Sequence, residues 1–212
     1  MRDARTKGIP VLGVGAIYPV PESVVVCEPF ELPSFWPRAY GLDVGWNRTA
    51  AAFGAWDRDS DTIYVYSEHY MGQAAPAVHA SAIRDRGDWI FGAIDPASVG
   101  SGQIDGRKLR DEYAKLGLNL VDADNAVEAG IHACYQRFVS GRLKVFNTCR
   151  NLISEFRIYR RDVNGKIVKE NDHLMDALRY LVMTGMRVAR TLPDYDEDEP
   201  FNRAARNRST GY

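Results

Sequence analysis

The sequence predicts an α/β domain: a mixed sheet with an antiparallel three-strand start, then parallel strands, flanked by helices and carrying an extra β-hairpin. Three observations predict it. Three strand-like runs follow one another across residues 40–70 with only short turns between them. Beyond them, short apolar runs alternate with helix-like segments, the order that lays strands parallel with helices over the sheet. Asn164-Gly165, at the centre of residues 158–169, is the strongest short-range hairpin signal in the chain.

Taken in order, residues 1–38 hold most of the prolines among small apolar patches, and read as an N-terminal arm or linker. The domain itself is expected over residues 39–190. Residues 40–45 and 49–56 read as the first two strands, Asp57-Arg58-Asp59-Ser60-Asp61 as a turn, and 62–70 as a third, alternating strand. Pro76 is placed to start a helix over 76–86. Residues 89–95 form an apolar run ending in a carboxylate, the look of a buried central strand. A loop over 96–106 and a helix over 107–116, stopped by Gly117, come next. A strand at 118–121, a helix at 126–139, a strand at 143–146 and a helix at 148–156 lead to the hairpin. The last helix is expected over 172–189. The tail, 191–212, is acidic (Asp194 to Glu199) and then basic, a composition that cannot build a core.

Composition bounds the function. With 45% hydrophobic and 26% charged residues the chain has the makeup of a globular domain. No apolar run approaches membrane-spanning length and the first residues show no signal peptide, so no membrane partner is expected. Cys27, Cys134 and Cys149 are scattered and odd in number. They suggest neither disulfides nor zinc, and a reducing cytoplasm is the expected setting.

The carboxylates carry the chemistry. Asp43, in Gly41-Leu42-Asp43-Val44-Gly45, ends the first strand among apolar neighbours, and Asp95 repeats that pattern in Ala93-Ile94-Asp95-Pro96. Burying a carboxylate needs compensation. Each alone also reads as an aspartate that starts a turn. The last helix opens Asn171-Asp172-His173-Leu174-Met175-Asp176-Ala177-Leu178-Arg179-Tyr180, with Asp176 on a face that continues into Tyr180 and Met183. Asp172 reads first as an N-cap or first-turn acid complementing the helix dipole, and His173 as a structural, DNA-facing or metal-binding group. If the two strands are neighbours, the helix can bring Asp176 to Asp43 and Asp95. Three converging carboxylates repel unless cations separate them, and oxygen ligands suit Mg²⁺ or Mn²⁺. Two such ions about 4 Å apart would clamp an in-line phosphoryl transfer.

The net charge of -1 argues against a uniformly basic nucleic-acid binder, but residues 137–169 hold nine basic side chains against two acidic ones, an excess of seven. This stretch, with Arg157, Arg160, Arg161, Lys166 and Lys169 near the hairpin, could neutralise several phosphates, or be only a solvated surface.

Together, the strand-end aspartates, the Asn-Asp-His-Leu-Met-Asp-Ala-Leu-Arg-Tyr helix and the Asn-Gly hairpin before it resemble the nuclease domain of phage large terminases, within the ribonuclease H-like superfamily. The helix motif is the specific part. The resemblance, over about 40–190, implies a metal-dependent endonuclease that cuts concatemeric double-stranded DNA during viral genome packaging. It implies that Asp43, Asp95 and Asp176 carry the metals, with Asp172 or His173 assisting. It further implies an upstream ATPase domain in the same polypeptide, the portal and small terminase as partners, and action in the host cytoplasm rather than in the mature virion. The chain has no Walker loop: the nearest stretch, Gly100 to Leu109, has the wrong spacing. An excised domain is therefore expected.

Rival readings remain at this point. A junction resolvase or transposase core shares the acids and differs in DNA substrate. An actin-like ATPase is suggested faintly by Asp43-Val-Gly-Trp-Asn-Arg-Thr49, though the chain looks too short for its two subdomains. A portal-docking module is a non-catalytic possibility.

Overall fold

The computed structural model describes residues 15–96 and 106–193. The loop expected over 96–106 falls outside it for residues 97–105, as do residues 1–14 and the tail from 194. The first elements are α1 (Glu22–Val25), β1 (Val26–Cys27), β2 (Arg38–Asp43), β3 (Thr49–Asp57) and β4 (Thr62–Met71). Then come α2 (Pro76–Arg84), β5 (Phe91–Ile94), α3 (Gly106–Lys115), β6 (Asn119–Asp122), α4 (Val127–Val139), β7 (Leu143–Phe146) and α5 (Arg150–Ile158). The chain ends in α6 (His173–Tyr180), a π-helical turn (Leu181–Gly185) and α7 (Met186–Val188).

The seven strands form one sheet in the order β1-β7-β4-β3-β2-β5-β6. β2, β3 and β4 are the antiparallel meander expected from the sequence, and β5, β6, β7 and β1 join in parallel. Strand periodicity sorts residues onto two faces. Tyr40, Leu42, Ala51 and Phe53 pack with Ala80 and Ile83 of α2 and Tyr113 of α3. Ala39, Ala50, Ala52, Ile63 and Val65 face α4, α5 and α6. The segment before β2 contributes Tyr18, Val20 and Val25 to this second core, and β1 extends the sheet beyond β7.

Small residues on the second face decide where α6 lies. A Cβ on Gly41 would overlap the Ala177 carbonyl oxygen, so only glycine lets the helix backbone rest directly on β2. That contact sets α6 over the strand that ends in Asp43.

The hairpin expected over 158–169 forms in a shortened version. α5 runs on to Ile158, and the reversal is closed by the Asp162 N–H to Lys166 carbonyl bond (2.8 Å) and the Gly165 N–H to Asp162 carbonyl bond (3.0 Å). Arg161 and Ile167 form its bridge, while Arg160 pairs with Ala16 instead. Asp162 Oδ1 accepts the N–H groups of Asn164 and Lys166, at 2.8 and 2.9 Å, so the turn is held largely by one side chain. The last helix occupies the expected span with a π turn in its middle, a feature common near functional sites.

Candidate active site

Asp43 is the last residue of β2 and Asp95 follows β5. Because the strands are parallel neighbours with Leu42 opposite Ile94, both acids emerge at one end of the sheet. The Asp95 N–H donates to the Leu42 carbonyl at 3.3 Å, adding one rung beyond the strand. α6, seated on Gly41, brings its first turn to the same place. His173 Nδ1 lies 2.8 Å from Asp43 Oδ2. Burial pushes the Asp43 carboxyl up, Asp176 and Asp95 push it further, and the His173 bond opposes them. His173 is itself raised, first by its bond to Asp43. The Tyr180 hydroxyl is raised by burial and then by Asp176, Asp95 and Asp43. The three acids therefore share one electrostatic neighbourhood.

Asp176 is held from two sides. Arg179 Nη2, on the next turn, donates to Asp176 Oδ1 at 3.0 Å and to the Tyr180 hydroxyl at 3.3 Å. Lys169 Nζ donates to Asp176 Oδ2 at 3.1 Å and lies 2.8 Å from Asp172 Oδ2. Arg179 is 1% exposed, so its charge is affordable only beside that carboxylate. Asp172 occupies the N-cap position of α6 without a side-chain capping bond. Capping comes from α5: Glu155 Oε2 accepts the N–H groups of Leu174 (2.6 Å) and Met175 (3.3 Å). Burial raises the Glu155 carboxyl, while Tyr70 and these two N–H groups draw it down.

Glu155 and Arg179 are the residues that sequence reasoning passed over. Glu155 is a lone acid beside Leu152, Ile153 and Phe156 on a buried helix face, the same signal that singles out Asp43. Arg179 stands three residues after Asp176, the spacing of a helical ion pair.

The basic residues divide. Arg157 makes a two-pronged bond to Glu22, at 2.7 and 2.6 Å. Arg161 pairs with Glu128 at 2.6 Å, and Lys169 belongs to the acid cluster. Arg160 and Lys166 are exposed and, among the described residues, have no side-chain partner.

Among the described residues no three histidine, cysteine, aspartate or glutamate side chains are gathered closely enough to make a ready metal cage. The donor chemistry nevertheless fits a hard cation. Asp176 and Asp95 add to the cost of ionising Asp43, and two of the acids near α6 already hold the Lys169 ammonium between them.

Residues 40–184 match the model of the terminase RNaseH-like domain family. The chain belongs to this family. The large terminase subunit of Salmonella phage P22 is 37% identical over 206 residues, covering 91% of this chain and 40% of that protein. The terminase chain thus spans about two fifths of the length of this curated relative. The solved nuclease domain of the P22 large terminase superposes with a TM-score of 0.79 at 34% identity, over 85% of this chain and 97% of the other. The nuclease domain of the bacteriophage SPP1 large terminase, solved with bound Mn, shares the fold at TM-score 0.57 and 19% identity, over 76% of this chain and 96% of the other. The terminase chain is thus a ribonuclease H-like nuclease domain, and the resolvase, transposase and ATPase readings are not favoured.

Proposed function

We propose that this terminase domain is a divalent-metal-dependent endonuclease that cuts concatemeric double-stranded DNA during phage genome packaging. The observation that carries the reading is the convergence of Asp43, Asp95 and Asp176 from β2, β5 and α6 on one end of the sheet, where Asp176 and Asp95 raise the Asp43 carboxyl and all three raise the Tyr180 hydroxyl. Manganese in the SPP1 relative supports a divalent ion. In this proposal Asp43, Asp95 and Asp176 hold the metal, with Asp172 and His173 adjoining. Bound there, Mg²⁺ or Mn²⁺ (two ions in this proposal) would supply activation of the attacking water and neutralisation of charge on the phosphate.

The chain's own residues do the positioning. His173 fixes one oxygen of Asp43 and leaves the other open. Arg179 orients Asp176 through Oδ1. Tyr180, buried against Ala93 and Ala123, stands beside the acids with its hydroxyl held by Arg179. Arg157, Arg160, Arg161, Lys166 and Lys169 are the proposed DNA contacts, with Arg160 and Lys166 the most available. The proposal extends to an ATPase domain upstream in the same polypeptide, to the portal and small terminase as partners, and to action in the host cytoplasm rather than in the virion. It also keeps the division into an N-terminal segment (1–38), whose Tyr18, Val20 and Val25 pack into the domain's core and whose β1 extends its sheet, the nuclease domain (39–190) and a tail (191–212).

A plasmid-nicking assay with Mg²⁺, Mn²⁺ or excess chelator, run beside Asp43→Ala, tests the reading. Nicking with either metal and its loss in chelator and in the variant are expected. Undiminished cutting in chelator removes the metal mechanism.

A further inference from the structure

Trp46 stands at the acid end of the sheet with its side chain in solvent. It is 70% exposed, in the five-residue connection between Asp43 and Thr49. Three residues of chain limit its Cα to within about 11 Å of that of Asp43. An exposed tryptophan on a loose loop would mean little, since single exposed apolar residues are common. This loop, however, is braced from several sides. The Gln73 N–H donates to the Trp46 carbonyl at 2.8 Å, and Thr49 Oγ1 donates to the Gly45 carbonyl at 3.1 Å. The Arg48 guanidinium lies 4.3 Å from the centre of the Tyr70 ring. Gly72 lies so close to Asn47 that a Cβ there would overlap its carbonyl oxygen. The backbone is fixed and the indole is presented.

The surroundings favour one kind of occupant. Met71, 40% exposed, ends the strand whose turn abuts Trp46 and Asn47. Arg48 supplies a cation, and Asn47 and Gln73 supply amides. A flat aromatic with a flanking cation beside carboxylates that process a phosphodiester suits a nucleotide, whose base or sugar face stacks while the amides reach its edges. A protein partner would find little apolar surface here beyond these two side chains.

We propose that Trp46 is a nucleic-acid stacking residue that grips the DNA strand within about three nucleotides of the scissile phosphate. The proposal rests on the nuclease reading of the Asp43 site. The indole holds the strand by its apolar face and so sets the register of the backbone over the acids.

The test uses the full 212-residue chain carrying Asp43→Asn, which blocks cutting. Binding of fluorescein-labelled single-stranded and duplex oligonucleotides is followed by anisotropy across a salt series, with Trp46 intact, Trp46→Ala and Trp46→Phe. Trp46→Ala is expected to weaken binding about tenfold with the salt slope and melting temperature unchanged, and Trp46→Phe to recover most of the loss. The solvent-exposed component of tryptophan emission should be quenched by DNA in the parent and be missing in Trp46→Ala. Affinity within twofold of the parent, a changed salt slope or a lowered melting temperature overturns the stacking role. A parent chain, with or without Asp43→Asn, that binds no DNA overturns the nuclease reading itself, and the stacking role with it.

Discussion

Glu155 on α5 and Leu174 on α6 are joined by a 2.6 Å bond from the Leu174 N–H to Glu155 Oε2. A buried carboxylate from one helix thus fixes the starting point of the next, the helix that carries His173 and Asp176. Glu155→Ala strands two buried N–H groups, at a cost of about 2–4 kcal/mol, and lets the first turn of α6 drift. Nicking should fall by tenfold or more, because small displacements at a reacting centre are expensive. Glu155→Gln keeps an accepting oxygen and should sit between the two in both melting temperature and rate.

The acids on β2 and α6 should respond differently to neutralisation. Burial, Asp176 and Asp95 all disfavour the Asp43 charge. Asp43→Asn should therefore abolish metal-dependent cutting while raising the melting temperature of the metal-free protein. Asp176→Asn should also abolish cutting, but it removes the partner of Arg179 and should destabilise by about 1–3 kcal/mol. Asp172→Asn should retain measurable activity. Nicking rates and thermal melts of the three variants check the order. A dead Asp172→Asn beside an active Asp176→Asn reverses the ligand assignment.

These expectations show what the sequence could and could not convey. The meander, the parallel strands and the place of α6 follow from alternation, apolar runs and helical spacing, all local signals. Asp43 and Asp95 stood out because each is a charge in an apolar strand. The repulsion around Asp176 was legible, whereas its relief by Lys169 was not, because that ammonium reaches it through the folded path of the hairpin. In the same way the basic stretch looks free in one dimension. Glu22 and Glu128, distant in sequence, neutralise Arg157 and Arg161 in space.

That division predicts unequal roles for the basic side chains. Reversing Arg160 and Lys166 together should weaken DNA binding and flatten its salt dependence, since each phosphate contact releases counterions. Arg157→Ala should change the salt slope least, because Glu22 already holds that guanidinium. Binding isotherms over a range of salt concentrations check this. An unchanged slope in the double reversal means that the hairpin surface is only solvated.

The last prediction concerns a pair away from the acids. His69 on β4 and His79 on α2 are both buried, with Nε2 of the first 2.9 Å from Nδ1 of the second. One ring must donate and the other accept, so the bond is lost once both are protonated, and burial disfavours even the first charge. Burial lowers His69 from 6.5 to about 4, helped by His79 and Arg86, and burial lowers His79 as well. In the unfolded chain both rings titrate near the ordinary histidine value. Between these limits the unfolded state binds more protons, so stability is full above pH 6.5 and declines as pH falls from there toward about 4. At pH 5 the His69 contribution to that decline is on the order of 1–2 kcal/mol. Replacing His69 by Gln keeps a hydrogen bond to His79 and removes one titrating ring. The variant should lose less melting temperature than the parent between pH 7 and pH 5, whatever its stability at pH 7. Parallel melting curves with the same pH dependence would mean that acid destabilises the domain through its carboxylates and that the histidine pair contributes nothing to it.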